Sequence, residues 1–495
     1  MDRQTDTIAI LRFMLFERQL ERKNHSDLDR GPLKGKKSKT LAMLNWIATC
    51  FVTEPVDDVV ATAVSAGQGR ITFYIAVNRG QSRDQDRKNG EMFKQLLRET
   101  IGQSDHKSIV QQIMKVVSPI IYRRLLRKVN LIARIDKTES PKLLVQDRFD
   151  TIVNRWVEGG NIEDDAKFLF HSAELGFTPP SMDGNQRLKQ IFGRIVSTAT
   201  TDASAEGGCP ADVDSETRRL WVTSFTTEAY TLLLSKFSKS FDKPGPESKF
   251  TDEDFIWILR LRRRLWRVAR YLSQLNIFAD SGLQYIRNIL GDGVRKFADG
   301  GLGFKIVWVG DEPGVLPDNY GCDVQMSLTP MEYLNKLFDK FDYTTGDSEG
   351  EKEVPNIPSK TLKDIGEFWA IPGSIKPSLH CEIQMILYLK ANRIQIQDNA
   401  IGCSKLMCWA CNAYVEKANK NGRGNTWLLS GTSEKPHYAW LIPSGTLGDA
   451  VVGDIMKGLE SLVSQFAVEF GRHRKQLDGS DSATGSLSDW ALDFM

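Results

Sequence analysis

Apolar residues recur at intervals of three and four through the middle of the chain, from about residue 90 to residue 290. This spacing lines one face of an α-helix, and segments such as GEMFKQLLRETI and EDFIWILRLRRRLWRVARYLSQL carry it over several turns. No motif repeats at a fixed period. The sequence therefore predicts a large, mostly α-helical region over residues 81–360.

The segments outside this pattern predict further elements. Residues 1–57 are predicted to hold N-terminal helices and the basic linker GPLKGKKSK. Two β-branched and aromatic runs flank the segment SAGQG, which predicts a β-hairpin over residues 58–80. The segment FKIVW, near residue 305, predicts a short buried strand, and residues 476–495 are predicted to be a disordered tail.

The composition is that of an ordinary globular protein. The chain has 65 basic and 63 acidic residues, so its overall charge calls for neither nucleic acid nor an anionic membrane as a partner. No apolar run approaches the roughly 20 residues of a membrane span, and the N-terminus lacks a secretory signal pattern. We therefore expect a soluble protein with no membrane partner.

Cysteines concentrate near the C-terminus. The total of 7 is odd, and Cys381, Cys403, Cys408 and Cys411 lie within one short segment. This distribution indicates reduced thiols with a local metal or redox role instead of a disulfide framework. The expected compartment is therefore intracellular, either cytoplasmic or nuclear.

Four residues of this segment have the types and spacing of a zinc site. His380 and Glu382 begin one predicted helix, and Cys408 and Cys411 lie on one face of the first turn of another, with a predicted strand, IQIQDNAIG, between them. Helix N-termini favour thiolates over thiols, and thiolates bind zinc. We predict that His380, Cys408 and Cys411 bind Zn²⁺.

The chemistry of such a site depends on its fourth ligand. One imidazole and two thiolates leave a tetrahedral position open to water, as in catalytic zinc sites, and zinc brings the pKa of that water toward neutrality. Glu382 is the predicted catalytic residue, which carries the water proton. The alternative is a structural zinc, with Cys381 or Cys403 as fourth ligand, in a non-catalytic interaction or scaffold protein.

The His-x-Glu and Cys-x-x-Cys motifs resemble the signature of the cytidine deaminase-like superfamily. The segment IGCSKLMCWACN, followed by NTWLLSGTSEKPHYAWLIPSG, is similar to the corresponding segment of one branch of this superfamily, the fungal nucleic acid/nucleotide deaminase family. The resemblance covers about residues 375–445. Met407 stands where the superfamily usually has proline before the first cysteine.

The resemblance implies an α/β fold, an α/β/α three-layer deaminase-like domain predicted over residues 361–475, beside the large helical region. It also implies a zinc-dependent hydrolytic deaminase whose substrate is a cytosine- or adenine-type nucleobase, as a nucleotide or in a nucleic acid. The superfamily places a hairpin just before the His-x-Glu helix. We therefore predict that residues 58–80 complete the deaminase sheet, that residues 80–370 are an insertion, and that Asn78 binds substrate.

Two other features have competing interpretations. His437 is either a base-binding residue or a packed side chain, and the sequence favours the second. The arginine clusters at 123–128 and 260–270, with Trp266, have the residue types for binding phosphates and stacking on a base. Acidic residues such as Glu253 and Asp254 lie nearby, and arginine is common on solvated helix faces, so the sequence favours ordinary surface helices there.

Overall fold

The chain was analysed as a computed structural model. The described residues are Gln4, Ile8, Leu11, 39–53, 59–67, 70–133, Ile135, 141–161, 184–201, 215–241, 250–301, 303–312, Leu316, 322–325, 374–421, 426–433, His437, 439–443 and 445–457. The predicted basic linker, the predicted tail at 476–495 and most of the predicted N-terminal helix at 7–23 lie outside these residues.

The described elements are mostly helical. The helices are α1 (Lys39–Cys50), α2 (Asp84–Ile101), α3 (His106–Ala133), α4 (Pro141–Glu158), α5 (Gly184–Thr201), α6 (Ser215–Leu234), α7 (Lys236–Ser240), α8 (Asp252–Ile277), α9 (Leu283–Leu290), α10 (Val294–Ala298), α11 (Cys381–Ala391) and α12 (Trp409–Asn421). The strands are β1 (Val60–Gly67), β2 (Arg70–Val77), β3 (Gly303–Trp308), β4 (Val324–Gln325), β5 (Ser374–Ile375) and β6 (Gly402–Cys403). A further helical segment covers 446–457.

A mixed sheet of four strands, in the order β3-β2-β1-β6, organises the fold. β1 and β2 form the antiparallel hairpin that the sequence predicts, paired from Val60 with Val77 to Gly67 with Arg70. β3 runs parallel to β2, and β6 runs antiparallel to β1. The two strands on either side of the hairpin come from positions more than 200 residues further along the chain.

The alternating side chains of the hairpin separate two apolar cores. Ile71, Phe73 and Ile75 face the core shared with α1 and the helical region. Tyr74 and Ala76 point the opposite way, into the core formed with α11 and α12. Because successive side chains of a strand point to opposite faces, one hairpin serves both cores. The predicted fold class is therefore confirmed: an α/β domain with helices on both faces of its sheet, beside a large helical region.

Within the helical region, ion pairs hold neighbouring helices together. Helix α8 begins with a capping box, in which the Thr251 hydroxyl accepts a hydrogen bond from the Asp254 N–H at 3.1 Å. Arg155 of α4 pairs with Asp254 at 2.5 Å, and Arg148 pairs with Glu253 at 2.9 Å. Among the described helices, no segment has both the length and the apolar composition of a membrane span.

The strand predicted around IQIQDNAIG differs from the structure. Only Gly402 and Cys403 form strand β6, and residues 397–399 form a 3-10 turn. Asp398 and Asn399 have φ angles of 54° and 49°, in the left-handed region that ends an extended segment and that Asp and Asn tolerate. The strand predicted at FKIVW forms as β3, within the otherwise helical range; it is only partly buried, and it extends the same sheet as the hairpin.

Candidate metal centre

His380 lies at the N-terminus of α11, held there by the hairpin. The Cys381 N–H, an otherwise unpaired donor of the first helical turn, donates a hydrogen bond to Asn78 Oδ1 at 2.8 Å. The buried amide of Gln384 donates to the carbonyl of Val77 at 3.0 Å and to that of Leu379 at 2.6 Å. The C-terminal end of β2 therefore fixes the helix turn that presents His380.

Cys408 and Cys411 lie at the start of α12, as the sequence predicts. The Cys411 N–H points to the Cys408 sulfur at 3.4 Å. The residue before Cys408 is held by a separate segment: the Met407 N–H donates to the carbonyl of Gly431 at 3.2 Å, and the Met407 carbonyl accepts from the Ser433 N–H at 2.8 Å. The Gly-Thr motif at 431–432 thus fixes the entry into the cysteine turn.

The structure brings His380, Cys408 and Cys411 into one buried cluster, with their ligand atoms within 4.8 Å of one another. His380 Nδ1 lies 3.5 Å from the Cys408 sulfur and 3.3 Å from the Cys411 sulfur. A tetrahedral zinc with bonds of about 2.3 Å to sulfur and about 2.0–2.1 Å to nitrogen separates such atoms by about 3.6 Å. The donor set and its spacing therefore fit zinc.

The other cysteines of the described residues lie outside the cluster. Among the residues that the structure describes, the cluster contains three ligands, and neither Cys381 nor Cys403 belongs to it. The Cys381 thiol instead lies 3.5 Å from a Glu382 carboxylate oxygen, and the Cys403 backbone N–H donates to Asn45 Oδ1 at 2.8 Å. Three ligands of this kind are the number that a catalytic zinc site uses.

The cluster shifts the pKa values of its members. Burial alone would raise the pKa of Cys408, but the Cys411 hydrogen bond and the His380 ring outweigh burial and lower it below the usual thiol range. Burial and then the neighbouring Cys408 raise the pKa of Cys411. A negative charge at Cys408 thus disfavours a second thiolate, and a divalent cation would stabilise both.

Glu382 lies in the first turn of α11, 2% exposed. Burial raises the pKa of its carboxyl, and the His380 charge partly opposes this rise. A buried carboxyl with a raised pKa exchanges protons near neutral pH more readily than an ordinary glutamate does. Its charge interacts with those of His380 and Cys408, which places it in electrostatic reach of the cluster.

His437 and Asn78 both reach the region of His380. The ring of His437, which is exposed, lies 4.8 Å from the ring of His380 in an edge-to-face arrangement. Asn78 contacts the helix turn itself, since its side-chain oxygen accepts from Cys381. The substrate-binding role of Asn78 stays a prediction, and its observed contact is with the backbone of α11.

Gln384 and Asn45 are supporting residues that the sequence analysis missed. Gln384 is a polar residue within the apolar run CEIQMILYL, four residues after His380, and this position is the signal that identifies it. Asn45 lies in α1, and its Oδ1 accepts from both Cys403 N–H and the Ser430 hydroxyl. Such a contact across 358 residues leaves no trace in local spacing.

Comparison with known proteins supports the interpretation of this segment. Residues 379–444 match the family model described as OTT_1508-like deaminase. This part of the chain is deaminase-like. The match begins just before His380 and includes Glu382 and both cysteines of the cluster. Comparisons with the curated proteins and with the solved structures give no match.

Proposed function

We propose that this protein is a zinc-dependent hydrolytic deaminase acting on a nucleobase of the cytosine or adenine type, within a nucleotide or a nucleic acid. The observation that carries the proposal is the buried triad of one imidazole and two sulfurs with nitrogen–sulfur distances of 3.3 and 3.5 Å, inside a deaminase-like segment. His380, Cys408 and Cys411 would hold the zinc. When bound, zinc supplies a water molecule acidic enough to act as a nucleophile at neutral pH.

Glu382 is the proton carrier in this proposal. In a hydrolytic deamination, water replaces an amino group on the ring, and one proton must pass from the water to the substrate and another to the departing ammonia. The raised pKa of the buried Glu382 carboxyl suits it both to accept a proton and to give it back. Its place two residues after His380, in the same helix turn, keeps it beside the triad.

Separate contacts hold each of the two turns that carry the triad. Asn78 and Gln384 fix the turn that carries His380, and the Gly431–Ser433 segment fixes the turn that carries Cys408. These contacts limit the movement of the ligands, as a preorganised metal site requires. In this proposal, Asn78 also binds the substrate.

The deciding experiment compares the wild type with Glu382→Gln. Both proteins, purified with zinc, are assayed for ammonia release from cytosine and adenine bases, their nucleotides and single-stranded oligonucleotides. We expect the variant to keep its zinc and to lose activity by at least about a hundredfold, as for loss of a general acid or base. Glu416→Gln, at an exposed glutamate of α12, is the matched control and should retain full activity.

Two results would refute the proposal. One is a wild type, loaded with one zinc per chain, that releases no ammonia from any member of this panel. The other is equal activity of the wild type and Glu382→Gln. A variant that loses zinc together with activity would show that Glu382 stabilises the centre, and its proton-carrying role would then be rejected.

A further inference from the structure

Five basic side chains lie near one another where helices α3 and α8 approach the loop that leads into Cys408. This basic cluster consists of Arg124 and Lys128 from α3, Arg267 and Arg270 from α8, and Lys405 from the loop. The charges of the other four all act on Lys128. Nη2 of Arg270 lies 3.5 Å from the carbonyl oxygen of Ser404, so the cluster adjoins the cysteine turn directly.

Among the described residues, no carboxylate pairs with the four helical side chains of this cluster. Within the described part of the chain, Arg124, Lys128, Arg267 and Arg270 form no ion pair with an acidic side chain. The opposite end of α8 differs, because Glu253 and Asp254 there pair with arginines of α4. The acidic residues near this helix in the sequence therefore pair with arginines of α4 and not with those of the basic cluster.

Burial makes this concentration of charge costly. Arg124 is only 5% exposed, and its Nη1 atom is buried without a hydrogen-bond partner, as is Nε of Arg270. Burial and then the charges of Arg270 and Arg124 lower the pKa of Lys128 to about 5. Guanidinium groups with unsatisfied donors match the geometry of phosphate oxygens, and an anion would offset both the repulsion and the unsatisfied donors.

We propose that the basic cluster is a phosphate-binding site, which holds the phosphate groups of the substrate while its base reaches the metal centre. This inference rests on the proposed function for the link to deamination, but not for the binding of phosphate itself. A nucleoside phosphate and a strand of nucleic acid present the same oxyanion to these residues.

The position of the cluster connects it to the chemistry. Lys405 lies three residues before Cys408, and the preceding residue, Ser404, accepts from Arg270, so one short loop joins the basic cluster to the metal centre. Trp266, 52% exposed, lies beside the cluster with its ring centroid 5.8 Å from the Arg270 guanidinium. An exposed indole next to the arginines of the basic cluster offers a stacking surface for a base adjacent to the bound phosphate.

The test measures anion binding by the full-length zinc-loaded protein, independently of catalysis. The probes are inorganic pyrophosphate, cytidine and adenosine monophosphates, and a fluorescent single-stranded oligonucleotide, with affinities from calorimetry and anisotropy at low salt. We expect Arg267→Gln/Arg270→Gln to weaken binding at least about tenfold, because charge-assisted contacts to phosphate are lost. Arg260→Gln, an exposed arginine of the same helix about 10 Å along its axis, is the control and should change affinity less than about twofold.

The single variant Arg267→Gln, at an exposed side chain, keeps the test valid if the double variant fails to fold, and it should weaken binding in the same direction. Binding of monophosphates as tight as that of the oligonucleotide would identify a nucleotide site, and much tighter oligonucleotide binding would identify a strand site. Absence of binding to every probe, or equal losses in Arg260→Gln, would overturn the proposal. Binding without ammonia release from any base would refute the proposed function and leave the phosphate site standing.

Discussion

Replacing Lys128 with methionine tests whether the basic cluster strains the free protein. The pKa of Lys128 is lowered from 10.5 to about 5, first by burial and then by the Arg270 charge. Between these values the unfolded chain binds a proton that the folded chain does not, so stability falls as the pH falls, by up to about 1.4 kcal/mol per pH unit. At pH 7 this corresponds to a penalty of at most about 5 kcal/mol.

The net gain from Lys128→Met should be smaller than this limit. Lys128 retains some solvent contact, and its Nζ donates to the Tyr271 hydroxyl at 3.0 Å, a bond whose loss costs about 1 kcal/mol. We therefore expect the free energy of unfolding at pH 7 to rise by about 2–4 kcal/mol. The variant should also lose most of the rise in stability that the wild type shows between pH 6 and pH 9.

Urea unfolding followed by far-ultraviolet circular dichroism at several pH values measures both quantities. Lys115→Met, at an exposed lysine of the same helix, is the control and should leave the pH dependence unchanged. A Lys128→Met protein that is less stable than the wild type, with the same slope against pH, would contradict the reasoning. A gain in stability on replacing Lys128 would be typical of a residue retained for function.

Three further perturbations test the metal centre and its support. Cys411→Ser should reduce zinc content, measured by metal analysis, well below one per chain, whereas Cys403→Ser, outside the triad, should keep it. Asn78→Ala removes the acceptor of the Cys381 N–H and should cost about 0.5–2 kcal/mol of unfolding free energy in urea titrations, with Asn78→Asp restoring most of it. Gly402→Ala places a Cβ atom against the Leu44 and Asn45 backbone and should cost about 1–3 kcal/mol or more, whereas Gly67→Ala, with open space at its Cβ, should be tolerated at this level. A Gly402→Ala protein as stable as Gly67→Ala would contradict the close packing of α1 on β6.

Local spacing predicted the parts of the site that local structure creates. A histidine at a helix start, and two cysteines three apart in the first turn of another helix, are positions that follow from the chain's immediate neighbours. The hairpin was predictable for the same reason, because two β-branched runs meet at a short glycine-containing turn. These predictions needed no knowledge of what packs against the segments.

Contacts between distant segments were beyond local spacing. The alternation in IQIQ favours a strand, yet the left-handed Asp398 and Asn399 end the extended chain, and the observed strand forms where Gly402 allows α1 to approach. The basic cluster joins α3 to α8, with Lys128 hydrogen-bonded to Tyr271 across 143 residues. The sequence of α3 or of α8 alone does not distinguish these basic residues from the arginines of α4, which pair with Glu253 and Asp254.

The hairpin explains how two halves of a site, separated from it by some 300 residues, reach one place. Its second strand ends at Asn78, which caps the turn carrying His380. Its first strand begins at Val60, which is hydrogen-bonded to Ser404, four residues before Cys408 in the sequence. The Val60 N–H donates to the Ser404 hydroxyl oxygen at 3.0 Å, and the Val60 carbonyl accepts from the Ser404 N–H at 2.9 Å. Opposite strands of one hairpin thus position the histidine and the cysteines, and a one-residue slip between the strands would move one half relative to the other. Because the same strands pack their other face on the helical region, that region contributes to the ligand geometry as well as to the proposed phosphate site.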